Sequence, residues 1–472
     1  MTRDGGKTWK NVAVKEAPEW ARVYQVGVSP FDAGTAYVAY DAHMIDNRKP
    51  YVYKTTDYGA TWTTITKGLP ENASARVVRE DPNQKGLLVL GTDTGLYYSL
   101  NDGGEWKPLK ADFPTVPVFD LLFVKKSRDL VVATHGRGLF VFDDIRPLEE
   151  LTASVEASDF HLFSPRDGTY FHHWRKGEGA EDGYEAPNAP EGVVIDYYLK
   201  SEIKPKEPKK PGANPPVEIV ITDEHGNPVA TEHGPGKAGV NRFVWSMRYD
   251  GPTKLDFLKQ VEEEESPYRQ SRAHVAPGTF NIAVTANGKT EKISAKVNSD
   301  PNLNIPAADF EAAAKAGLEA RNQLNAFNES LNRLVLMQKQ LQSFQKSVQD
   351  DKDQAAQYAA LVKQGKDLDG KLKSLKDSVL NPNIQQQYDY DTIHELADFH
   401  GKLDSLVSRM AFLYGEAPNA LYRVRAEELR KELDAYLAKF NALLKGDVAA
   451  YNKAAYAAGA PTLGSGDSIT VK

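Results

Sequence analysis

Three short stretches concentrate side chains that could do chemistry. Asp41, His43, Asp46 and Arg48 fall between two apolar runs, Asp93 sits in a Thr-Asp-Thr-Gly turn, and His135 and Arg137 alternate with Gly136 and Gly138. Acids, imidazoles and guanidinium groups converging on one concave face make a polar ligand site. The glycines around His135 imply a tight turn that aims its side chain. The competing role for His135 and Arg137 is to pair with neighbouring carboxylates and brace the fold. Glycoside hydrolysis would need a paired acid and nucleophile, and no such pair can be assigned among these residues, so no catalytic residue is named.

Whatever these groups do, they must be held by the segments between them, and those segments repeat. Thr2-Arg3-Asp4-Gly5-Gly6-Lys7-Thr8-Trp9, Thr55-Thr56-Asp57-Tyr58-Gly59-Ala60-Thr61-Trp62 and Ser99-Leu100-Asn101-Asp102-Gly103-Gly104-Glu105-Trp106 share the form Ser/Thr-x-Asp/Asn-x-Gly-x-x-Trp. Asp4, Asp57 and Asn101 can accept backbone amides across a tight turn. Gly6, Gly59 and Gly103 supply positive φ. Trp9, Trp62 and Trp106 then start a strand and fill the space between stacked sheets. The closing tryptophans lie 53 and 44 residues apart, close to the roughly 40–50 residues of one four-stranded propeller blade. Strand-like runs fit between them: Arg22–Ser29, Thr35–Tyr40, Tyr51–Thr55 and Thr61–Thr66, then Arg76–Glu80, Leu87–Gly91, Leu96–Ser99 and Trp106–Leu109. A third unit offers Val118–Val124, Leu130–Thr134 and Leu139–Phe142 and stops before a fourth strand. The seven candidate residues then occupy loops on the rim opposite the Asp/Asn turns.

The turns are Asp-boxes, the repeats of bacterial neuraminidases and sortilin-type propellers. Tyr37-Val38-Ala39-Tyr40-Asp41-Ala42-His43, Arg48-Lys49-Pro50-Tyr51-Val52-Tyr53-Lys54 and Asp129-Leu130-Val131-Val132-Ala133-Thr134-His135-Gly136-Arg137-Gly138 resemble secreted bacterial YVTN/BNR-repeat proteins, a group often labelled "glycosyl hydrolase". The resemblance implies a partial propeller over 1–148 and a secreted, periplasmic or cell-surface location. Since propellers close with at least four blades, the remaining blades are expected from a missing N-terminal part or another chain. The neuraminidase Phe/Tyr-Arg-Ile-Pro signature is absent from this sequence.

Beyond Pro147 the pattern changes. Residues 149–192, rich in Gly, Pro and Glu, read as a connector; His172-His173-Trp174 within it lacks a third ligand at metal spacing. Residues 193–300 read as an immunoglobulin-like β-sandwich with strands Val193–Leu199, Val217–Thr222, Arg242–Met247, Thr279–Thr285 and Lys292–Val297. Lys204–Pro216 reads as a solvated loop and Glu262–Glu265 as a solvated acidic run. Residues 305–460 read as four antiparallel helices with a short tail helix, a place where oligomers could form, followed by a tail, 461–472. The helical seams are Leu324, Phe327, Leu331, Leu334, Leu341 and Val348; Ile393, Leu396, Leu403, Val407 and Met410; and Leu429, Leu433, Tyr436, Phe440 and Leu443. His400 falls in the second seam as a core histidine.

Composition bounds the function. With 58 Lys+Arg against 65 Asp+Glu, the net charge of -7 gives no basic footprint for nucleic acid. Cys 0 removes disulfides, thiolate metal sites and a cysteine nucleophile. No apolar run is long enough for a transmembrane helix, and no phosphate loop, dinucleotide fingerprint, HExxH or GxSxG is present. The expectation is a binding or scaffold protein without metal or cofactor, taking a peptide, protein or glycan; the alternative is a sialidase-like glycoside hydrolase with catalytic residues partly in missing blades.

Overall fold

The computed structural model describes residues 1–171, 190–204, 216–255, 272–349, 352–380 and 398–471. His172-His173-Trp174, Glu262–Glu265, Ile393, Leu396 and most of the Lys204–Pro216 loop lie outside them. The chain is mixed β and α, with antiparallel sheets first and a helical region at the C-terminal end.

The first sheet runs β1 (Arg22–Val28), β2 (Ala36–Asp41), β3 (Tyr51–Thr55) and β4 (Thr63–Thr64) in spatial order. The second repeats this with β5 (Ala75–Glu80), β6 (Leu88–Thr92), β7 (Gly95–Ser99) and β8 (Lys107–Pro108). The third has β9 (Val118–Val124), β10 (Asp129–Thr134) and β11 (Leu139–Phe142), with no fourth strand beside β11 among the described residues. Strand alternation gives each sheet two apolar faces. On β5, Val78 packs with Tyr37, Ala39 and Val52 of the first sheet, while Val77 packs with Val118, Leu121 and Val132 of the third. The three sheets therefore stack, with β1, β5 and β9 as consecutive inner strands.

The repeated turns are built alike. Asp4 accepts the Thr8 amide at 2.9 Å, Asp57 that of Thr61 at 2.8 Å and Asn101 that of Glu105 at 2.9 Å. The Thr2, Thr55 and Ser99 hydroxyls accept the amides of Gly6, Gly59 and Gly103. Gly59 and Gly103 combine positive φ with close approach: a Cβ would lie 2.8 Å from Val12 or 2.7 Å from Ile65. Trp106 donates to the Ile65 carbonyl at 2.7 Å and Trp62 to that of Val12 at 2.9 Å. Residues 10–14 thus stand against the first sheet as β4 and its continuation stand against the second. One expectation needs correction: of the three tryptophans only Trp106 is fully enclosed, while Trp62 is half-buried and Trp9 is 74% exposed. Among the described residues no sheet packs against Trp9. The fourth strands are also shorter than expected, at two residues each.

After β11 come two short helices, α1 (Arg146–Glu150) and α2 (Ala153–Ala157). Two further sheets share one core that includes Tyr197, Trp245, Ile219 and Phe280. One has β12 (Phe160–Leu162), β14 (Val193–Leu199) and β17 (Gly239–Trp245). The other has β13 (Gly168–Thr169), β15 (Val217–Asp223), β16 (Pro228–Gly234), β18 (Gly278–Ala286) and β19 (Lys289–Asn298). Arg242 ties this layer to the sheet stack: it grips Asp196 at 2.8 Å through two nitrogens and donates to the Asp143 and Asp144 carbonyls at 2.9 Å.

The helical region comprises α3 (Ala307–Gln349), α4 (Lys352–Gln357), α5 (Ala359–Asp377), α6 (Phe399–Ala411), α7 (Ala420–Leu443) and α8 (Ala449–Ala457), the last two joined by a π-helical turn. The first and third seams bury as the period requires, except that Leu443 is only partly covered. Asp398 and Asn419 cap α6 and α7 by accepting the amides of Gly401 and Tyr422. His400 stands 6.2 Å from the Phe327 ring, and burial lowers its pKa.

Candidate functional site

The starts of β1, β5 and β9 and the loops β2–β3, β6–β7 and β10–β11 lie at one end of the stack. Ladder contacts fix this: Arg22 pairs with Asp41, the Asp93 amide donates to the Ser74 carbonyl at 3.0 Å, and that of His135 to Pro117 at 2.9 Å. Side chains from the inner strands meet the loop residues there.

At the centre is Arg76 of β5, 7% exposed. It donates to Asp41 at 3.2 Å, and its guanidinium carbon lies 4.7 Å from the Phe119 ring and 5.4 Å from that of Tyr24. The rings meet edge-on at 6.0 Å. Arg22 covers Tyr24 at 4.7 Å, and His135 stacks on Phe119 at 5.1 Å. A cation between aromatic faces is favourable once desolvated. Asp41, 2% exposed, also holds His43: its carboxylate meets Nδ1 at 2.7 Å and accepts the His43 amide at 3.0 Å. Buried as an ion pair and hydrogen-bonded besides, Asp41 is locked.

Asp93 differs. Burial raises its pKa, opposed by the charges of Arg76 and Arg48. Its Oδ1, the Arg76 Nε and the Ser74 hydroxyl are enclosed without hydrogen-bond partners among the described residues. Buried polar atoms without partners are unusual in a folded interior.

Of the seven residues expected from sequence, Asp41, His43, Asp93 and His135 come together around Arg76, and Arg48 reaches Asp93 by charge. Asp46, at a φ of 53° after a short 3-10 turn, and Arg137, between Gly136 and Gly138 in left-handed conformation, project outward at loop tips. Among the described residues His135 meets the Phe119 ring rather than a carboxylate. Sequence reasoning missed Arg76, Tyr24 and Phe119. The available signal was Arg76 as the lone charge in Ala73-Ser74-Ala75-Arg76-Val77-Val78. One level deeper on the same strands, Arg79 bridges Gln25 and Asp120.

No family model and no curated protein matches the sequence. Among solved structures the chain is similar to YCF48 bound to D1 peptide (19% identity, TM-score 0.24, covering 30% of this chain and 43% of that one). It is also similar to the GH74 enzyme of Niastella koreensis (14%, 0.22, 59% and 46%) and to the extracellular domain of a putative hybrid two component system from B. thetaiotaomicron (10%, 0.21, 59% and 30%). The chain spans less than half the length of each. At these scores the likeness carries no argument about activity.

Proposed function

We propose that the chain belongs with the Asp-box propeller proteins and acts as an extracytoplasmic binding or scaffold protein, taking a peptide, protein or glycan on the rim around Arg76. The division into a partial propeller to residue 148, a connector, an immunoglobulin-like sandwich over 193–300 and a helical bundle over 305–460 is part of this reading. So are the partners: further blades on the open faces of the stack, and association through the bundle.

The observation that carries the reading is the locking of Asp41 between Arg76 and His43. That acid cannot serve as a nucleophile without dismantling the centre of the site, whereas cations, rings and loop-tip groups remain to hold a ligand. One observation favours the alternative, a glycoside hydrolase: Asp93 has the raised pKa that a general acid needs. The test is a peptide and glycan array probed with the full chain and with His135→Ala and Arg137→Ala. Both side chains are exposed, so binding should weaken while melting barely moves. Hydrolysis of aryl glycosides or sialosides that Asp93→Asn abolishes would replace the binding reading by the enzymatic one.

A further inference from the structure

Residues 461–471 form neither helix nor strand and lie along the helical region. Leu463 and Ile469 are buried in the core to which α3, α7 and α8 contribute. Their backbones are held by helix side chains. Asn452 of α8 accepts the Leu463 amide at 2.7 Å and donates to the Leu463 carbonyl at 3.0 Å. Asn441 of α7 treats Ile469 alike, at 2.9 and 2.8 Å. From α3, Gln340 accepts the Gly464 amide at 3.0 Å and Arg333 donates to the Asp467 carbonyl at 2.5 Å. Past Ala460, each backbone hydrogen bond of this segment among the described residues goes to one of these four side chains.

A peptide ligand is held in this way. A side-chain amide offers a donor and an acceptor together, so it can pair with the N–H and C=O of any residue. Main-chain bonds then supply grip while pockets select side chains. The selection here is for two aliphatic anchors with Gly466 midway between them. Gly466 has a φ of 60°, and a Cβ on it would lie 2.7 Å from the Arg333 guanidinium. Gly464, Gly466, Asp467 and Ser468 are exposed, so they add little further selection. Asn441 and Asn452 are separated by about 16 Å of helix rise, and the six residues from Leu463 to Ile469 reach about 20 Å at full stretch. The segment therefore runs antiparallel to α7 and α8 and spans the two clamps nearly extended.

The pattern of Leu, Ile or Val three residues either side of a glycine occurs elsewhere in this sequence only at Val362–Leu368, inside helix α5. The segment of another molecule that meets every contact of the groove is thus the same tail on a second copy. We propose that the groove is a binding site for an extended peptide of this pattern, filled in cis by the chain's own tail and in trans by that of a second copy. The inference rests on the association through the bundle proposed above and gives it a partner segment; no rim residue takes part.

Two full-length variants test this as a pair. Leu463→Asp/Ile469→Asp disables the tail and leaves the groove open, while Asn441→Ala/Asn452→Ala disables the groove and leaves the tail intact. Sedimentation of the equimolar mixture should show a 1:1 complex beyond anything either variant forms alone, and an excess of synthetic peptide 460–472 should dissolve it. The same peptide, labelled, should bind the first variant at micromolar concentration and fail to bind wild type, where the tethered tail competes at an effective concentration of about 1 mM. If the aspartates prevent folding, Leu463→Ser/Ile469→Ser takes their place. His135→Ala in both chains should change neither result, which keeps this test separate from binding at the rim. Variants that melt cooperatively yet form no complex and bind no peptide would overturn the site. Wild-type dimers indifferent to all four substitutions would overturn tail exchange while leaving association through the bundle in place.

Discussion

Arg76 shows what one buried cation can organise. It neutralises Asp41, fills the space between two rings and biases Asp93, so its loss propagates. Arg76→Leu should cost about 3–5 kcal/mol, because Asp41 is left buried without its counter-charge. Urea denaturation should show Arg76→Leu/Asp41→Asn recovering much of that loss; a double variant no better than the single would mean that ring packing, not charge, sets the cost. The loop residues were legible in the sequence because ionisable groups stand out between apolar runs. Arg76 was not, because its role arises from three strands distant in sequence, and an arginine in a strand gives no local sign of which face it takes. Asp41 was legible as polar but not as locked, since the locking group sits 35 positions away.

The turns are the most legible elements, since all their bonds are local. Asp57 illustrates the chemistry: the Thr61 hydroxyl and amide and the Thr55 hydroxyl hold its carboxylate at a pKa of about 2. A depressed folded-state pKa stabilises the fold above the ordinary carboxylate value and ceases to do so as pH falls toward 2. Asp57→Asn should therefore flatten the acid side of the melting profile and lower the plateau above about pH 5, where the ionised carboxylate contributes in full. An unaltered acid limb would show that this turn does not report on global unfolding. The tryptophans that close the turns were equally legible in position but not in burial, which depends on a sheet ahead of each one. Trp106→Ala should cost about 3–5 kcal/mol as a large core truncation, Trp62→Ala less, and Trp9→Ala close to nothing. Chemical denaturation of the three variants should give that order; a Trp9 variant as damaged as the Trp106 one would mean that the first turn is enclosed in solution. Helical seams announced themselves by period, but the pairing of the two later sheets did not, because alternation fixes faces and leaves partners open.

At the scale of the molecule, the stack ends in two apolar faces built like the two it buries internally. At the front, Val23, Val26 and Val28 border a groove of about 910 Å³, with Val28 73% exposed. At the back, Leu122, Leu139 and Val141 are open, with Leu139 70% exposed. Inside the stack the corresponding faces meet as Val78 on Tyr37 and Val77 on Val118. Apolar surface of this kind marks an interaction site or an aggregation liability, and β11 adds an edge that no strand among the described residues pairs. That the third unit stops at three strands was legible from the repeat, as it does among the described residues, yet the exposure of these faces emerges only once the sheets stack. Val28→Lys and Leu139→Lys should therefore leave the stability within about 0.5 kcal/mol of wild type, as surface substitutions do. Both should lower binding of an apolar dye and reduce light scattering at high protein concentration, and the double variant should do so most. Faces that were covered in solution would give the reverse, a large loss of stability with no change in dye binding, because a lysine would then be driven into a packed interface.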